Sequence, residues 1–170
     1  MSAVSSPRFV VTGSKSWDDA ATVEVALRAT YQRILRERKV APVLVHGGAQ
    51  GADTLCARFW SQGGLPMEEY RPNWNTQPDG SWDNRAGFKR NSLMLALDNV
   101  VGVIAFHDDW SAGTKDTVVK AVKQGLPVWY FARHNGVMRS PILVTRENLA
   151  AVMRPRLDAL PAQVEASPDT

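Results

Sequence analysis

Apolar runs of strand length alternate along this chain with segments in which apolar residues recur at helical spacing. Short, continuous apolar runs that end in glycine or polar residues are typical of strands buried in a parallel sheet. The most continuously apolar run, NVVGVIAF at 99–106, is predicted to be a central strand. The full set of predicted strands is 8–13, 42–48, 66–71, 99–106 and 126–131.

Between these runs, spacings of three and four residues predict amphipathic helices. In the first helix, Val23 and Leu27 fall on one face, and Asp18 or Asp19 is the expected N-cap. The other predicted helices follow residue 51, span 86–97 and run from about 111 to 124. This alternation predicts an α/β fold, a three-layer domain over 8–153 with a mostly parallel sheet of about five strands.

Two segments depart from the alternation. The stretch 72–87 is long for a connection between a strand and a helix, which usually has about two to six residues. Such a loop is either a functional flap or disordered. Its tryptophans, Trp74 and Trp82, favour order because exposed indoles are costly unless they pack or close over a ligand. The segment 154–170, rich in proline, alanine and serine, is predicted to be a flexible tail.

Composition limits the class of partner. The chain has 170 residues, 44% of them hydrophobic, and a net charge of +3, which is small for a protein whose main partner is a polyanion. Its densest basic run, at 33–39, lies at the end of a predicted helix, where cations offset the helix dipole. We therefore do not expect nucleic acid as a partner.

The single cysteine and the absence of long apolar runs bear on the compartment. Cys56 excludes an intramolecular disulfide, and its place on the apolar face of a helix predicts a buried thiol. No apolar run approaches the ~20 residues of a membrane span. The start, MSAVSSPRF, lacks the hydrophobic stretch of a signal peptide. We expect a cytoplasmic protein that does not enter a membrane.

The loops that follow the strands carry the candidate chemistry. In an open parallel sheet, ligands bind beyond the carboxyl ends of the strands, near the point where the strand order reverses. The predicted loops are GSKSW at 13–17, HGGAQGAD at 46–53, the tryptophan loop at 72–87 and HDDWSAGTKD at 107–116. Three of the four combine small residues, polar side chains and the start of a helix.

The loop HGGAQGAD has two interpretations. Gly47, Gly48 and Gly51 leave backbone amides open to a ligand, and together with the dipole of the next helix those amides favour an anion. Glycines at such a turn also serve shape alone. The spacing fits neither the dinucleotide-binding pattern nor the Walker pattern, so it does not decide between the two. His46 and Asp53 flank the glycines as candidate ligand-binding residues.

The loop SAGTKD follows the fourth predicted strand and again places small and polar residues at the start of a helix. Ser111 is a candidate N-cap, and Gly113 and Thr114 fall in the first turn of the next helix. A hydroxyl and free amides at a helix start form a second candidate anion site. Gly13, Ser14 and Lys15 follow the first strand, and the lysine can supply a countercharge.

Other polar and aromatic side chains extend this candidate set. Arg90 can hold a phosphate bidentately and Asn91 can bond a base or sugar, although a solvated arginine is an equal alternative. Trp17, Trp74 or Trp82 can stack on a base. His107, Asp108 and Asp109 are interpreted as an ordinary polar loop because no second ligand motif supports a metal. We expect no metal and no cofactor.

Taken in order and spacing, VTGSKSW, LVHGGAQGAD, KRNSLM and SAGTKDTV resemble the YspA-like branch of the SLOG superfamily, over about residues 9–131. The superfamily also contains the LOG phosphoribohydrolases and the DNA-processing protein DprA. The resemblance implies a Rossmann-like parallel sheet that binds a nucleotide-type ligand at its strand ends. It also implies a homo-oligomer and a phage or bacterial setting.

Comparison with the LOG enzymes separates binding from catalysis. Arg90, Asn91 and Met94 match their R-K-x-x-M element with Asn for Lys, and Gly113 and Thr114 match the G-T of their second element. The glycine pair of that element is replaced by Trp110 and Ser111, and its glutamate by Thr117. Threonine cannot stabilise the cationic sugar that develops when a glycosidic bond breaks. The sequence therefore favours binding over turnover.

Three functional hypotheses follow. The first is a protein that senses, sequesters or carries a nucleotide or nucleotide-derived metabolite. The second is a nucleoside 5′-monophosphate phosphoribohydrolase that uses Arg90 with Asp116 or Asp53. The third, by analogy with DprA, is a module that binds single-stranded DNA. The predicted ligand-binding residues are Gly13, Ser14, Lys15, Trp17, His46, Gly47, Gly48, Gly51, Asp53, Trp74, Arg90, Asn91, Ser111, Gly113 and Thr114.

Overall fold

The computed structural model describes residues 5–75, 77–109 and 111–154. The strands in these segments are β1 (Arg8–Gly13), β2 (Val43–His46), β3 (Met67–Glu69), β4 (Val100–Asp108), β5 (Val128–His134), β6 (Val137–Met138) and β7 (Ile142–Val144). The helices are α1 (Ala20–Arg38), α2 (Ala52–Gln62), α3 (Ala86–Leu95), α4 (Ala112–Lys123) and α5 (Leu149–Val152). The predicted tail lies outside the described residues except for Arg154.

The strands form one sheet in the order β3-β2-β1-β4-β5-β6, with β7 also pairing with β5. The first five strands are parallel, as predicted. The chain fills the sheet outward from β1 on one side and then returns to β4 on the other. The strand order therefore reverses between β1 and β4, and the ligand crevice of such a fold lies beyond the carboxyl ends of these two strands.

The sheet has more strands than the predicted five. Beyond β5, the short strands β6 and β7 pair with it in antiparallel orientation. The apolar runs at 137–138 and 142–144 are shorter than the about four residues that a strand pattern needs, whereas β3 lies within the longer predicted run 66–71. The four-residue helix α5 was missed for the same reason.

Two apolar cores cover the two faces of the sheet. Phe9 and Val11 of β1 pack with α1 and α2, whereas Val10 points to the opposite face, towards α3 and α4. Cys56 is fully buried in the first core, as predicted. Opposite faces are filled by alternate residues because successive side chains of a strand point in opposite directions. The domain is thus three layers deep, in agreement with the sequence.

The start of α1 resolves the choice between two aspartates. The Asp19 carboxylate accepts hydrogen bonds from the backbone N–H of Thr22 at 3.0 Å and from its hydroxyl at 2.6 Å. Asp19 is therefore the N-cap. Asp18 instead accepts a hydrogen bond from Arg133.

The tryptophan loop is ordered by its own contacts. The indoles of Trp74 and Trp82 stack with a 4.8 Å centroid separation and 3° between their planes. The backbone N–H of Asp83 donates to the carbonyl of Trp74 at 2.6 Å, and the buried Asp83 carboxylate pairs with Lys89 at 2.5 Å. These contacts give the described part of this loop, which we call the flap, a defined conformation. Thr76 lies outside the described residues.

None of the described helices combines the length and the apolar character that crossing a membrane requires.

Candidate functional site

A cavity of about 350 Å³ opens where β1 and β4 end, at the reversal of the strand order. We call it the site cavity. Of the predicted ligand-binding residues, the structure places the following in its lining: Gly13, Ser14, Lys15, Asp53, Arg90, Asn91, Ser111, Gly113 and Thr114. Loops that are far apart in sequence therefore meet at one place, because parallel strands bring their carboxyl ends to the same edge.

A second cavity, of about 560 Å³, lies beside the first and beneath the tryptophan loop. We call it the flap cavity. Three further predicted residues line it: Gly47, Gly48 and Trp74. The residues common to both linings are Lys15, Ala49, Arg90, Asn91 and Gly113. The two cavities are therefore parts of one groove.

The amides of the glycine loop already have partners within the protein. The backbone N–H groups of Gly47 and Ala49 donate to Oδ2 of Asp53 at 3.0 and 3.3 Å, and that of Gly48 donates to Nδ1 of His46 at 3.1 Å. In this conformation these amides are not available to a phosphate. The expectation that this loop binds an anion through its amides is therefore wrong for the amides of Gly47, Gly48 and Ala49 in this conformation.

At two of the glycines, Gly47 and Gly51, the backbone lies so close to another segment that a Cβ would overlap it. A Cβ at Gly47 would fall on the guanidinium of Arg90. Gly51 has a φ of +79°, and a Cβ there would overlap the carbonyl of Ser14. Gly51 is not part of either lining, so the structure assigns it a packing role. The first interpretation of HGGAQGAD, glycine for shape, therefore holds at both positions.

Arg90 connects this loop to the middle of α3. Its Nη1 donates to the carbonyls of Gly47 at 2.6 Å and Tyr70 at 3.3 Å, and its Nε donates to Oδ1 of Asn91 at 3.0 Å. Burial lowers the pKa of Arg90, while nearby Asp53 opposes this change. The side chain lines both cavities, but two of its nitrogens are engaged within the protein. It is neither the solvated arginine nor the free phosphate clamp considered from sequence.

Asp116 does not belong to the described lining of either cavity. Its Oδ2 accepts hydrogen bonds from Asn91 at 3.1 Å and from Lys120 at 2.9 Å. The expectation that Asp116 acts in the pocket is therefore corrected, because its carboxylate is held among other side chains. Thr117, at the position of the LOG glutamate, is fully buried, and its hydroxyl is turned to the carbonyl of Gly113.

Asp53 is the one carboxylate in the described lining of the site cavity. Burial raises its pKa to about 6, and the hydrogen bonds from the amides of Ala49 and Gly47 oppose this rise. The carboxyl is only 5% exposed, so an ionised Asp53 depends on these amides for solvation. The group combines a structural role in the glycine loop with a position facing the cavity.

The start of α4 is open towards the site cavity. Ser111 is the N-cap, yet its side chain makes no capping hydrogen bond. Its hydroxyl instead contacts those of Ser14 at 2.7 Å and Thr114 at 2.8 Å. Among the described side chains, none is seen to accept a hydrogen bond from the first-turn amides of α4, and the positive end of the helix dipole faces a cavity lined by hydroxyls. This is a favourable place for an anion.

His107 holds the loop before α4 in position. Its Nε2 lies 3.0 Å from the carbonyl of Ser111, and its Nδ1 lies 2.6 Å from the hydroxyl of Tyr130. Because a carbonyl only accepts, Nε2 carries the proton and Nδ1 accepts from Tyr130. Burial lowers the pKa of His107 to about 4, so the ring is neutral at physiological pH.

The acidic residues of this loop are engaged within the protein. Asp108 accepts hydrogen bonds from Arg133 at 2.7 Å and from Ser16 at 2.9 Å, and Asp109 accepts one from the backbone N–H of Asn135 at 2.9 Å. Across 5–75, 77–109 and 111–154, no group of His, Cys, Asp and Glu side chains has the arrangement of a metal site. Trp110 lies outside the described residues.

Lys15 is the cation that the groove offers. It is exposed and lines both cavities. Within the described part of the chain it forms no ion pair, whereas Arg71, which also lines the flap cavity, pairs with Glu69 at 3.1 Å. The predicted countercharge is thus placed at the junction of the two cavities.

Trp17 and His46 are not brought into the groove. Trp17 is 1% exposed and packs against Phe106 at a ring separation of 5.4 Å, while Arg133 lies over its ring. It has no free face for a base, which corrects the prediction made for it. His46 is buried and serves the glycine loop through its Nδ1.

Several lining residues were not predicted. Thr12 and Met94 line the site cavity, and Asn84 and Phe88 line the flap cavity. Thr12 directly precedes Gly13 at the end of a strand, so its position in the sequence could have indicated that it lines the site. Met94 belongs to the segment that resembles the R-K-x-x-M element of the LOG enzymes, which was also a signal. Asn84 and Phe88 depend on how α3 and the flap pack, which no local pattern indicates.

Comparison with known proteins agrees with this fold. Residues 7–76 match the model of the YspA, cpYpsA-related SLOG family. The Gene 61 protein of Mycobacterium phage D29 is 34% identical over 131 residues, which cover 73% of this chain and 95% of the phage protein.

Two solved structures share the architecture. DNA processing protein A from Streptococcus pneumoniae aligns with a TM-score of 0.57 at 18% identity, over 74% of this chain and 50% of that protein. The same protein from Helicobacter pylori, described for its mode of binding single-stranded DNA, aligns with a TM-score of 0.51 at 14% identity, over 86% and 73%. This chain thus spans half the length of the streptococcal protein. At these identities the likeness concerns the fold, whereas the phage relative and the family match establish kinship: the chain belongs to the YspA-related SLOG family.

Proposed function

We propose that this protein binds a nucleotide or a nucleotide-derived metabolite, as a sensor, a sequestering protein or a carrier. The observation that carries the proposal is the groove at the strand-order reversal, which is lined by the start of α4 and by Lys15. The N-cap side chain of α4 makes no capping hydrogen bond, and Lys15 forms no ion pair with any residue that the structure describes. A helix start and a cation together favour a phosphate.

The groove also offers a surface for a base. Trp74 is half-buried, lines the flap cavity and is supported by its stack with Trp82. Aromatic rings commonly stack on nucleobases. In the proposed complex the phosphate lies against the start of α4 and Lys15, and the base lies under the flap. The glycine loop supports this site as a wall and does not supply its amides.

The test is calorimetric titration of the purified protein with a panel of nucleoside mono-, di- and triphosphates. Gly113→Leu is the informative variant, because a Cβ at Gly113 meets no atom within 4 Å and its φ is not in the left-handed region. A Cβ at this position therefore enters open space, and we expect the leucine side chain to occupy part of the groove. We expect saturable binding to the wild type and at least tenfold weaker binding to this variant.

A second variant tests the charge. Lys15→Gln is expected to weaken binding, whereas Lys123→Gln, an equal charge change at the far end of α4, leaves it unchanged. No saturable binding to any member of the panel, or equal binding to wild type and Gly113→Leu, would contradict the proposed function.

One observation favours the phosphoribohydrolase alternative. Asp53 faces the site cavity with a pKa of about 6, and carboxyls that titrate near neutrality suit acid–base work. Incubation of nucleoside monophosphates with the protein, followed by chromatography, decides this alternative. Release of free base that is lost in Asp53→Asn supports it, and no base above the protein-free control removes it for the substrates tried.

Binding of single-stranded nucleic acid is the remaining alternative. The shared fold with DNA processing protein A and the stacked Trp74 and Trp82 on the flap favour it, and the small net charge is the argument against it. Fluorescence anisotropy with labelled oligonucleotides tests it. Binding through phosphates weakens steeply with salt, so affinity that is absent at low salt rejects this alternative.

The oligomeric state and the compartment also belong to the proposal. We infer a cytoplasmic homo-oligomer, and the exposed apolar side chains of β6 and β7, such as Val137 and Ile142, suit a contact between copies. Light scattering coupled to size-exclusion chromatography measures the mass. A monomer at micromolar concentration would contradict the inferred oligomer.

A further inference from the structure

The groove is larger than one small group requires. The site cavity holds about 350 Å³ and the flap cavity about 560 Å³. Each lies within the range of about 300–1,000 Å³ in which pockets for small ligands fall. Since the two share a wall at Lys15, Arg90 and Gly113, a ligand that fills the groove has two bulky parts and a connection between them.

The two parts of the groove differ in chemistry. The flap cavity is walled by Trp74 and Phe88, and the Trp82 ring stacked on Trp74 holds that indole in place. A flat, rigid aromatic wall suits a planar ring. Asn84 adds an amide that can donate and accept hydrogen bonds at the edge of such a ring.

The site cavity has no aromatic side chain in its described lining. Its polar groups are hydroxyls from two loops and from the end of β1, including Thr12, Ser16 and Thr114, and the Asp53 carboxylate. The side chains of Lys15, Arg90 and Asn91 also line it, on the side that it shares with the flap cavity. Short hydroxyls and a carboxylate suit a group that carries several hydroxyls of its own. A carboxylate that faces such a group can accept from two of them. This lining fits a sugar better than a second base.

The junction of the two cavities fits negative charge. Lys15 and the first turn of α4 at Gly113 lie there. A ligand with a base under the flap and a sugar in the site cavity would be joined through this point, where a cation and a helix start favour an anionic connecting group. Two linked phosphates satisfy both the charge and the need for a bridge.

We propose, on the basis of the proposed function, that the ligand is a nucleoside diphosphate sugar. Its base lies against Trp74, its diphosphate spans Lys15 and the start of α4, and its sugar hydroxyls bond Asp53 and Thr12. The sugar adds contacts that a nucleoside diphosphate alone cannot make. The site therefore distinguishes the sugar nucleotide from its parent diphosphate.

The experiment compares matched ligand pairs by calorimetry. The pairs are ADP with ADP-ribose, UDP with UDP-glucose and GDP with GDP-mannose, so that each pair holds the base constant. In at least one pair we expect the sugar nucleotide to bind at least tenfold more tightly. A single-stranded tetranucleotide is titrated in parallel, because a chain of nucleotides also offers bases, phosphates and sugars.

Substitutions at Thr12, Asp53 and Trp74 assign the parts of the ligand. Thr12→Val is close to isosteric and removes one hydroxyl, and it is expected to reduce the affinity for the sugar nucleotide more than that for the diphosphate. Asp53→Asn is likewise expected to reduce the affinity for the sugar nucleotide more than the affinity for the diphosphate. Thr30→Val, a buried threonine of α1 away from the groove, is the matched control and leaves both affinities unchanged. Trp74→Ala weakens both ligands of a pair, and Trp74→Phe restores most of the loss.

The outcomes separate this inference from the function on which it rests. Equal affinities within every pair, or a sugar advantage that survives in both Thr12→Val and Asp53→Asn, overturn the inference while nucleotide binding stands. Tighter binding of the tetranucleotide than of any sugar nucleotide also overturns it. If no nucleotide binds at all, the proposed function itself fails. Circular dichroism of each variant confirms that a loss of binding is not a loss of fold.

Discussion

At the scale of single residues, two glycines of the groove have opposite roles. Gly47 is in contact with the guanidinium of Arg90, whereas Gly113 faces open space. The missing side chain at Gly47 therefore lets Arg90 approach the backbone. The missing side chain at Gly113 leaves space in the groove. Sequence alone places both in similar glycine-containing turns after a strand.

The two glycines are expected to respond differently to alanine. Gly47→Ala displaces Arg90 and destabilises the protein by about 1–3 kcal/mol, as overpacking does. Gly113→Ala removes a glycine from a helix and is neutral or stabilising, by up to about 1 kcal/mol. Urea denaturation monitored by circular dichroism measures both. Equal effects of the two changes would contradict the contact between Gly47 and Arg90.

Asp53 predicts a pH dependence. Burial raises its folded-state pKa from an ordinary 3.8 to about 6. The folded protein therefore keeps this proton at pH values where the unfolded chain has lost it. The resulting stabilisation is complete below the unfolded pKa and is lost as the pH rises through about 6.

Asp53→Asn removes this effect because asparagine does not ionise. Between about pH 3 and pH 8 the variant is expected to gain stability relative to the wild type by about 3 kcal/mol, the free energy of a shift of this size. Urea unfolding at several pH values measures the difference, with Asp98→Asn, at an exposed position, as the control. A difference that does not change with pH would show that Asp53 is not buried as described.

At the scale of the element, the starts of α1 and α4 differ in whether the N-cap side chain bonds the first amides of the helix. The carboxylate of Asp19 caps α1 through Thr22, whereas α4 begins at a serine that does not cap it. A capped start completes a structural helix. An uncapped start beside a cavity leaves donors for a ligand.

The two aspartates before α1 are expected to differ when each is replaced by alanine. Asp19→Ala loses the cap and about 0.5–2 kcal/mol of unfolding free energy. Asp18→Ala loses an exposed pair with Arg133, worth about 1 kcal/mol or less. Thermal or urea unfolding of the two variants measures the difference. A larger loss at Asp18 would reverse the assignment of the cap.

At the scale of the whole molecule, the sheet order decides where the groove lies. The order β3-β2-β1-β4-β5 separates the loops after β1 and β4 from their sequence neighbours and places them side by side. Helices α2, α3 and α4 then contribute Asp53, Asn91 and Gly113 to one lining. The site is a product of topology and not of a single motif.

Ligand binding is expected to stabilise the whole fold. A ligand that binds only the folded state, present at 100 times its dissociation constant, adds about 2.7 kcal/mol to the free energy of unfolding. The melting temperature of wild type and of Lys123→Gln should therefore rise with a nucleotide ligand, and that of Lys15→Gln should rise less at the same concentration. Equal shifts in the two variants would remove Lys15 from the binding site.

The local pattern was sufficient for much of the fold. The five parallel strands, the buried thiol of Cys56 and the helices between strands follow from periodicity, which is a property of neighbouring residues. The gathering of the loops after the strands at one edge also followed, because parallel strands share their direction. The short strands β6 and β7 were missed, since they exist only by pairing with β5.

Tertiary structure decided which partner each polar group of the loops binds. Whether the amides of Gly47 and Ala49 face a ligand or Asp53, and whether Arg90 reaches a phosphate or a carbonyl 43 residues away, depends on partners brought together by folding. A hydrogen bond needs a partner at about 3 Å, and spacing along the chain does not specify distances between remote segments. By itself the sequence determined the layered α/β fold and the edge at which its polar loops meet. The packed structure decided which of those loops bond one another and which groups, such as Lys15 and the start of α4, line the cavities instead.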